Sequence, residues 1–458
     1  MKPVRIDSVR WDITNDCNLK CLHCYTVENP GPDLDYSKVL QIIRKLLSLG
    51  LQEINFAGRE PTMRRDLPKI TKWCTKNNIR VNVATNGTVL KQEGFAALLQ
   101  TSLNMLVFSL DGVSATTHDT IRGEGNFHRT IDSISTCLDY VRKNGISTKI
   151  GVNYTLQKVN AQEALSMIDL CHSLGAHFLN INPVSFCGSA TNVKEMLYLS
   201  PEEILSCWNK ICEVYRMMRE DFRLFLGTSP METKFLNAKY NLNLPVIHTT
   251  CSAGNTLYID PHGKALPCYM LPSMANEISV LKKYLCYWDV LTEPADYAFG
   301  IFKPFISYAH SVSKMNNSGC ADCPDVEICK GCPLIALSDP DVIYRCQLAQ
   351  KKLALIKLDL KQSTIPTIKD DISWELKGNV LQLSLNNEDY SSNKEFELDS
   401  VAKSIWLKLH SRSTIGKIDK SLENEWSNLP IKKVHKNLID FVEYFWKEGL
   451  LNLQGGNG

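Results

Sequence analysis

The sequence predicts an α/β protein: a partial (β/α)6 TIM-like barrel, then a small cysteine-rich domain, then a C-terminal winged-helix-like α+β domain. Three observations predict this order. From about residue 8 to 225, strand-like runs alternate with amphipathic helical stretches. From 236 to about 360 that rhythm stops, and prolines, short strands and crowded cysteines replace it. Beyond a short polar linker, "STIPTIKDD", a small antiparallel sheet comes first and three helical patterns follow, the last being "VHKNLIDFVEYFWKEGLL". The divisions fall at 1–235, 236–362 and 363–458, and 458 residues suffice for two or three domains.

The first region reads element by element. "VRWDIT" is a strand that runs into a loop holding three cysteines, and "SKVLQIIRKLLSLG" is a helix stopped by Gly50. Strand "QEINFAG", helix "DLPKITKWCTKNN", strand "RVNVATNG" and helix "FAALLQ" come next. Strand "MLVFSLDG", helix "RTIDSISTCLDYVRKNG", strand "TKIGVNYTL", helix "AQEALSMIDLCHSLG" and strand "HFLNINPVSF" continue the series. Helix "PEEILSCWNKICEVYRMMRE" closes it, with Ser200 as cap and Pro201 in the first turn. Six such units imply a parallel sheet curled into a barrel, whose chemistry lies at the C-terminal ends of the strands. The cysteine loop, "AGREP", "ATNG", "SLDG" and "NPVSF" all fall at those ends.

Composition narrows the function. Hydrophobic residues at 44% and charged residues at 22% are those of a soluble globular chain, and a net charge of +2 offers no global footprint for nucleic acid. No signal-peptide core or membrane-length apolar run is present, so a cytoplasmic protein is expected. Seventeen cysteines in a reducing compartment point to metal binding or redox work rather than disulfides.

Cys17, Cys21 and Cys24 are spaced C-x3-C-x2-C. Four sulfurs would complete a zinc site or a four-iron cluster, whereas three leave one metal position open. A zinc knuckle with His23 as fourth ligand is the alternative. The triplet resembles the C-x3-C-x-aromatic-C hallmark of the radical S-adenosylmethionine (SAM) superfamily, with His23 at the aromatic position and Tyr25 following. The resemblance implies a 4Fe-4S cluster whose open iron chelates SAM, and one-electron cleavage to a 5′-deoxyadenosyl radical that takes hydrogen from a substrate. It implies a G-G-E-P-like turn after the second strand as well. Gly58, Glu60 and Pro61 match that turn, and Arg59 stands in place of its second glycine. Asn86, Ser109, Asp111 and Arg122 occupy further strand-end positions where the family contacts SAM.

A second group comprises Cys251, Cys268, Cys320, Cys323, Cys329, Cys332 and Cys346. It resembles the SPASM extension of radical SAM enzymes, C-x(9–15)-G-x4-C followed by C-x2-C-x5-C-x3-C and a last cysteine, with two residues rather than three before Cys332. That resemblance implies two auxiliary 4Fe-4S clusters, three clusters in all. Cys320, Cys323, Cys329 and Cys346 would hold one, and Cys251, Cys268 and Cys332 the other. The fourth ligand of the latter is open, with Cys286 as a candidate. A pair of structural zinc sites is the competing reading.

The last region, "FELDSVAKSIWLKLHSRSTIGKI…FVEYFWKEGLL", resembles the pyrroloquinoline quinone peptide chaperone, or RiPP recognition element. Its signature rests on core positions such as Leu398, Ile405, Trp406, Leu409, Leu450 and Leu451. In that family the leader of a ribosomal precursor peptide adds a strand to the small sheet and packs on the third helix. Here that would involve "NVLQLSLNNEDY" or "KEFELD" with "LIDFVEYFWKEGLL". The resemblances together imply a peptide maturase forming a carbon–carbon or thioether cross-link, served by a flavodoxin- or ferredoxin-type electron donor. Neither nucleic acid nor membrane is expected as a partner. Alternatives are a sulfatase-type or tetrapyrrole-modifying radical SAM enzyme and, outside enzymes, a zinc-stabilised winged-helix regulator. No catalytic acid or base stands out.

Overall fold

A computed structural model of the chain describes residues 6–26, 31–218, 222–245, 256–315, 334, 341–356, 365–369, 372–387, 390–427 and 429–454. They form two compact units, residues 1–230 with 245–347 and residues 231–244 with 348–458.

The first unit is built on parallel strands laid side by side in chain order: β1 (Ser8–Asp12), β2 (Glu53–Ala57), β3 (Arg80–Thr85), β4 (Met105–Ser109), β5 (Lys149–Leu156), β6 (Phe178–Pro183) and β7 (Arg223–Leu226). The intervening helices are α1 (Tyr36–Ser48), α2 (Leu67–Lys76), α3 (Gln92–Leu99), α4 (Ala115–Arg122), α5 (Asn126–Asn144), α6 (Ala164–Leu174), the single turn α7 (Lys194–Leu197) and α8 (Pro201–Tyr215). Each forms for readable reasons. In α1, Asp35 accepts from the Lys38 amide as N-cap, and Val39, Leu40, Ile42, Ile43 and Leu46 make one buried stripe. The expected stop at Gly50 is seen, with its φ at +99°. In α8, Ser200 and Glu203 form a full capping box behind Pro201.

The six expected strands are present, and β7 is a seventh. Its four residues come just after the expected end of the last helix at Glu220, and pairing with β6 makes them a strand. The sheet also grows on the other side of β1. There β8 (Thr256–Ile259) pairs parallel to β1, and β9 (Lys264–Leu266) and β10 (Trp288–Asp289) follow antiparallel. The order β10-β9-β8-β1-β2-β3-β4-β5-β6-β7 leaves the sheet open, so the barrel is partial. Helices α10 (Leu271–Glu277), α11 (Ala295–Met315) and the start of α12 (Asp341–Leu355) complete this unit.

The two faces of the sheet differ. Phe108 of β4 meets Phe95 of α3 with ring centroids 5.7 Å apart, which marks the helix-covered face. By register and alternation, Val9, Trp11, Ile54, Phe56, Val81, Val83 and Leu106 share that face, and all are fully buried. The opposite face carries Arg10, Asp12, Glu53, Asn55 and Asn82. There Asn82 donates to Asn55, Asn104 donates to Asn82, and Asn55 donates to Glu53. A polar inner face suits a barrel that must hold polar ligands.

In the second unit, α9 (Pro230–Tyr240) packs with the C-terminal elements: Lys234, nearly inaccessible, pairs with Glu448 at 2.8 Å. The predicted hairpin is β12 (Ile372–Lys377) and β13 (Val380–Asn387), with β14 (Tyr390–Glu397) on the far side of β13. Helices α13 (Ser400–Leu409), α14 (Ile415–Glu425) and α15 (Ile431–Lys447) follow as expected. Two expectations are corrected. The polar stretch 363–371, read as a linker, contains strand β11 (Ile365–Ile368), which pairs antiparallel with β15 (Leu451–Gln454). Neither strand finds its partner within 80 residues of sequence, so local pattern could not reveal the pair. Gly449, with φ +73°, ends the helix and turns Leu451, read as helical, into the strand. In addition, β13 is paired on both sides, so of the two proposed docking stretches only 394–399 lies on an edge.

The expected core positions Leu398, Ile405, Trp406, Leu409, Leu450 and Leu451 are all buried. Trp406 is their centre, with Phe445 at 5.1 Å and Trp374 at 6.0 Å between centroids. Trp406→Ala should destabilise this unit by about 3–5 kcal/mol in denaturant unfolding. A loss under about 1 kcal/mol would show that the three aromatics do not form its core.

Candidate functional site

The loop after β1 carries Cys17, Cys21 and Cys24, all half-buried free thiols. Backbone bonds fix its course. The Cys24 amide donates to the Cys21 carbonyl at 3.2 Å, the Leu22 amide to Ile121 at 3.0 Å, and Ser189 returns a bond to the Cys24 carbonyl at 2.8 Å. Gly188 approaches so closely that a Cβ there would sit 2.4 Å from the Cys24 carbonyl oxygen.

Arg122, at the end of α4, is the charged neighbour of this loop. Its Nε donates to Asp111 at 2.5 Å, its Nη1 reaches the Cys21 sulfur at 3.7 Å, and its Nη2 lies 3.4 Å from His23 Nε2. Asp111 is fully buried and also accepts from the Thr155 amide at 2.7 Å. Burial alone would raise its pKa, but Arg122 and then His23 outweigh that and hold it below the usual carboxylate range. Burial lowers His23 to about 4, so the ring is neutral at physiological pH. Burial also pushes the Cys17 thiol up to about 11 and raises Cys21, against the pull of Arg122.

The "AGREP" turn is tied to the neighbouring strand end through one carboxylate. Glu60 is 1% exposed, and it accepts from the Thr62 amide, the hydroxyls of Thr62 and Thr85, and the Asn86 amide at 2.5–3.1 Å. Its pKa is raised, burial outweighing those bonds. Asn86 in turn donates to Asn18 of the cysteine loop at 2.9 Å. Gly58 takes the positive φ, +92°, and Arg59 is not among the residues with positive φ, so the arginine fits without strain. Pro61 opens a buried 3-10 turn, and Ser109 ends β4 half-buried opposite Asn153. Thus Gly58, Glu60, Pro61, Asn86, Asp111, Arg122 and His23 gather around the cysteine loop. For Glu60 and Asp111 the carboxyl oxygens are already engaged by the protein itself.

The donor set fits a cluster better than a single ion. His23, the fourth ligand of a zinc knuckle, faces Arg122 and Asp111 instead of the thiols. Among the described residues no group of three His, Cys, Asp or Glu side chains could hold one ion. A four-iron cube asks less convergence, because each thiolate takes its own iron. Of the second cysteine set, Cys268 and Cys346 are half-buried. Cys251, Cys320, Cys323, Cys329 and Cys332 lie outside the described residues. Cys286 is exposed, its thiol turned to the Lys283 carbonyl at 3.8 Å.

Sequence reasoning missed Arg10 and Asp12 on the polar face, together with their partners Tyr258 and Tyr269. Arg10 of β1 lies over the rings of Tyr25 (5.0 Å) and Tyr269 (4.2 Å) and donates to the Tyr25 hydroxyl at 2.5 Å. Asp12, 4% exposed, accepts from Tyr258 at 3.1 Å, and its Oδ1 has no hydrogen-bond partner. A Cβ on Gly58 would fall 2.0 Å from that oxygen, so the turn and the carboxyl need each other's shape. The signal was the alternation Arg-x-Asp inside a strand expected to be buried on both faces.

Residues 11–171 match the radical SAM superfamily. Fe-coproporphyrin III synthase of Methanosarcina barkeri is 34% identical over 37% of this chain and 41% of its own length, so this chain spans less than half of that relative. AdoMet-dependent heme synthase of the same organism is 28% identical over 59% of this chain and 78% of its own. PqqA peptide cyclase of Rhodopseudomonas palustris is 24% identical over 60% and 72%. Among solved structures, Streptococcus suis SuiB bound to precursor peptide SuiA superposes with a TM-score of 0.57 at 16% identity, covering 75% of this chain and 76% of SuiB. That likeness shows the fold. The likeness to a radical SAM domain thus covers residues 11–171. No described helix is long and apolar enough to cross a membrane.

Burial pushes the Asp12 carboxyl up to about 7, against the attraction of Arg10 and the Tyr258 bond. The folded chain then keeps a proton that the unfolded chain releases near pH ~4. Stability should therefore fall as pH rises from about 4 to about 7, this group contributing up to about 1.4 kcal/mol per pH unit. Urea midpoints across that range should be flatter for Asp12→Asn than for the wild type. Parallel curves would mean that the carboxyl is ionised throughout.

Proposed function

We propose that this chain is a radical SAM peptide maturase that forms an oxidative cross-link in a ribosomal precursor peptide. It would hold three 4Fe-4S clusters and receive electrons from a flavodoxin- or ferredoxin-type donor. The observation that carries the peptide reading is that β14 is an edge strand among the described residues. Its Phe396 contacts Tyr444 and Phe445, at 6.3 and 5.1 Å between centroids, and Tyr444 is half exposed. An extended leader could add as a strand there and lay side chains on α15. The precursor-bound SuiB and the PqqA cyclase support the same substrate class.

A cluster on Cys17, Cys21 and Cys24 would supply the electron that cleaves SAM to a 5′-deoxyadenosyl radical. The chain's own residues do the holding. Asp111 fixes Arg122 beside Cys21, keeping a permanent cation against the thiolates. Glu60 binds two strand-end loops into one wall, so that a bound substrate meets a fixed surface rather than mobile turns. The polar face of the sheet provides donors and acceptors for SAM and substrate.

Tetrapyrrole modification is the second reading, favoured by the two Methanosarcina relatives. Anaerobic reconstitution should give about twelve irons per chain, and about four would remove the auxiliary clusters. Tyr444→Glu separates the substrate readings. It should raise KM at least about tenfold for a leader-bearing precursor while leaving 5′-deoxyadenosine release from SAM alone unchanged. Turnover of a tetrapyrrole, with no effect of the variant, would favour the second reading.

A further inference from the structure

We infer that Arg10 is a fixed positive charge set beside the Cys17–Cys21–Cys24 loop, raising the reduction potential of an iron–sulfur cluster seated there. This rests on the cluster assignment just proposed. Three observations converge on Arg10. Its guanidinium is held between two aromatic rings, and those rings belong to Tyr25, next after Cys24, and Tyr269, next after Cys268. The two rings also meet edge-on, 5.6 Å apart at 79°. One cation thus bridges residues adjacent to a cysteine of each set, across 244 positions of sequence.

The charge also has no ion-pair partner among the described residues. Nη2 donates to a neutral tyrosine, Nε is buried with no hydrogen-bond partner, and no described carboxylate lies within 4 Å. Asp12 stands two positions on along β1, with burial favouring its protonated form. A guanidinium partly withdrawn from water without an ion pair favours the arrival of an anion. The anions these neighbours would bring are thiolate-ligated clusters. Adding one electron to such a cluster makes it one unit more negative, and a nearby cation in low dielectric stabilises that reduced form. Held by ring faces rather than by a carboxylate, Arg10 is not neutralised in a close ion pair.

The experiment is potentiometric EPR on the full-length chain, reconstituted anaerobically with iron and sulfide and poised with dithionite. Iron content is read first. A wild-type chain that takes up no iron defeats the cluster reading itself, and Arg10 is then not the issue. With iron present, Arg10→Gln should shift the cluster midpoints to lower potential at unchanged iron content, and Arg10→Lys should restore most of the shift. Equal midpoints in wild type and Arg10→Gln would overturn the inference. So would an Arg10→Lys protein that behaves like the glutamine variant, since charge would then not be the cause. If Arg10→Gln fails to fold or to load iron, Tyr269→Leu decides. Tyr269 is 37% exposed, and its removal lets water reach the guanidinium. A smaller downward shift supports the inference, and no shift overturns it.

Discussion

The site depends on the ion pair between Asp111 and Arg122. Two charges removed from water are tolerated only where hydrogen bonds satisfy what remains of each. Asp111 meets this with the Thr155 amide on its second oxygen, and Arg122 with Cys21 and His23 on its outer nitrogens. Either partner alone would be an uncompensated buried charge. The pair joins the end of β4, the end of β5 and α4 to the cysteine loop, so four chain segments share one electrostatic anchor. Glu60 performs the equivalent task for the ends of β2 and β3 through neutral donors.

These two anchors explain why residues that resemble ligand contacts in sequence are occupied within the protein. A wall that must hold a charged, flexible molecule gains little from mobile carboxylates. It gains more from loops whose backbone groups are already aimed. Positive charge meets the cysteine loop from Arg122, at the Cys21 sulfur, while Arg10 lies on the ring of Tyr25. Burial makes thiolates costly there, as the raised Cys17 and Cys21 show, so any metal centre these thiols hold would be bound with loss of their protons.

Much of this was legible in the sequence because the barrel is made of local repeats. Strand–helix units carry local signals of their own, as α1 with Asp35 and Gly50 and α8 with Ser200 demonstrate. The loops at the strand ends were legible by position alone. What escaped was non-local. β7 and β11 are strands only because a partner lies beside them, and β8 joins β1 across nearly 250 residues. Arg10 and Asp12 escaped for a related reason: their role comes from Tyr258 and Tyr269, which no local window contains.

The pairing of β1 with β8 has a consequence for biosynthesis. One side of β1 is matched soon after it leaves the ribosome, by residues 53–57, but the other side waits for residues 256–259. Until then a newly made chain displays a bare strand margin in the middle of its future sheet, open to neighbouring polysomes. Cellular yield should accordingly be governed by how quickly that gap in translation is crossed, or by chaperone cover during it, more than by the strength of the finished fold.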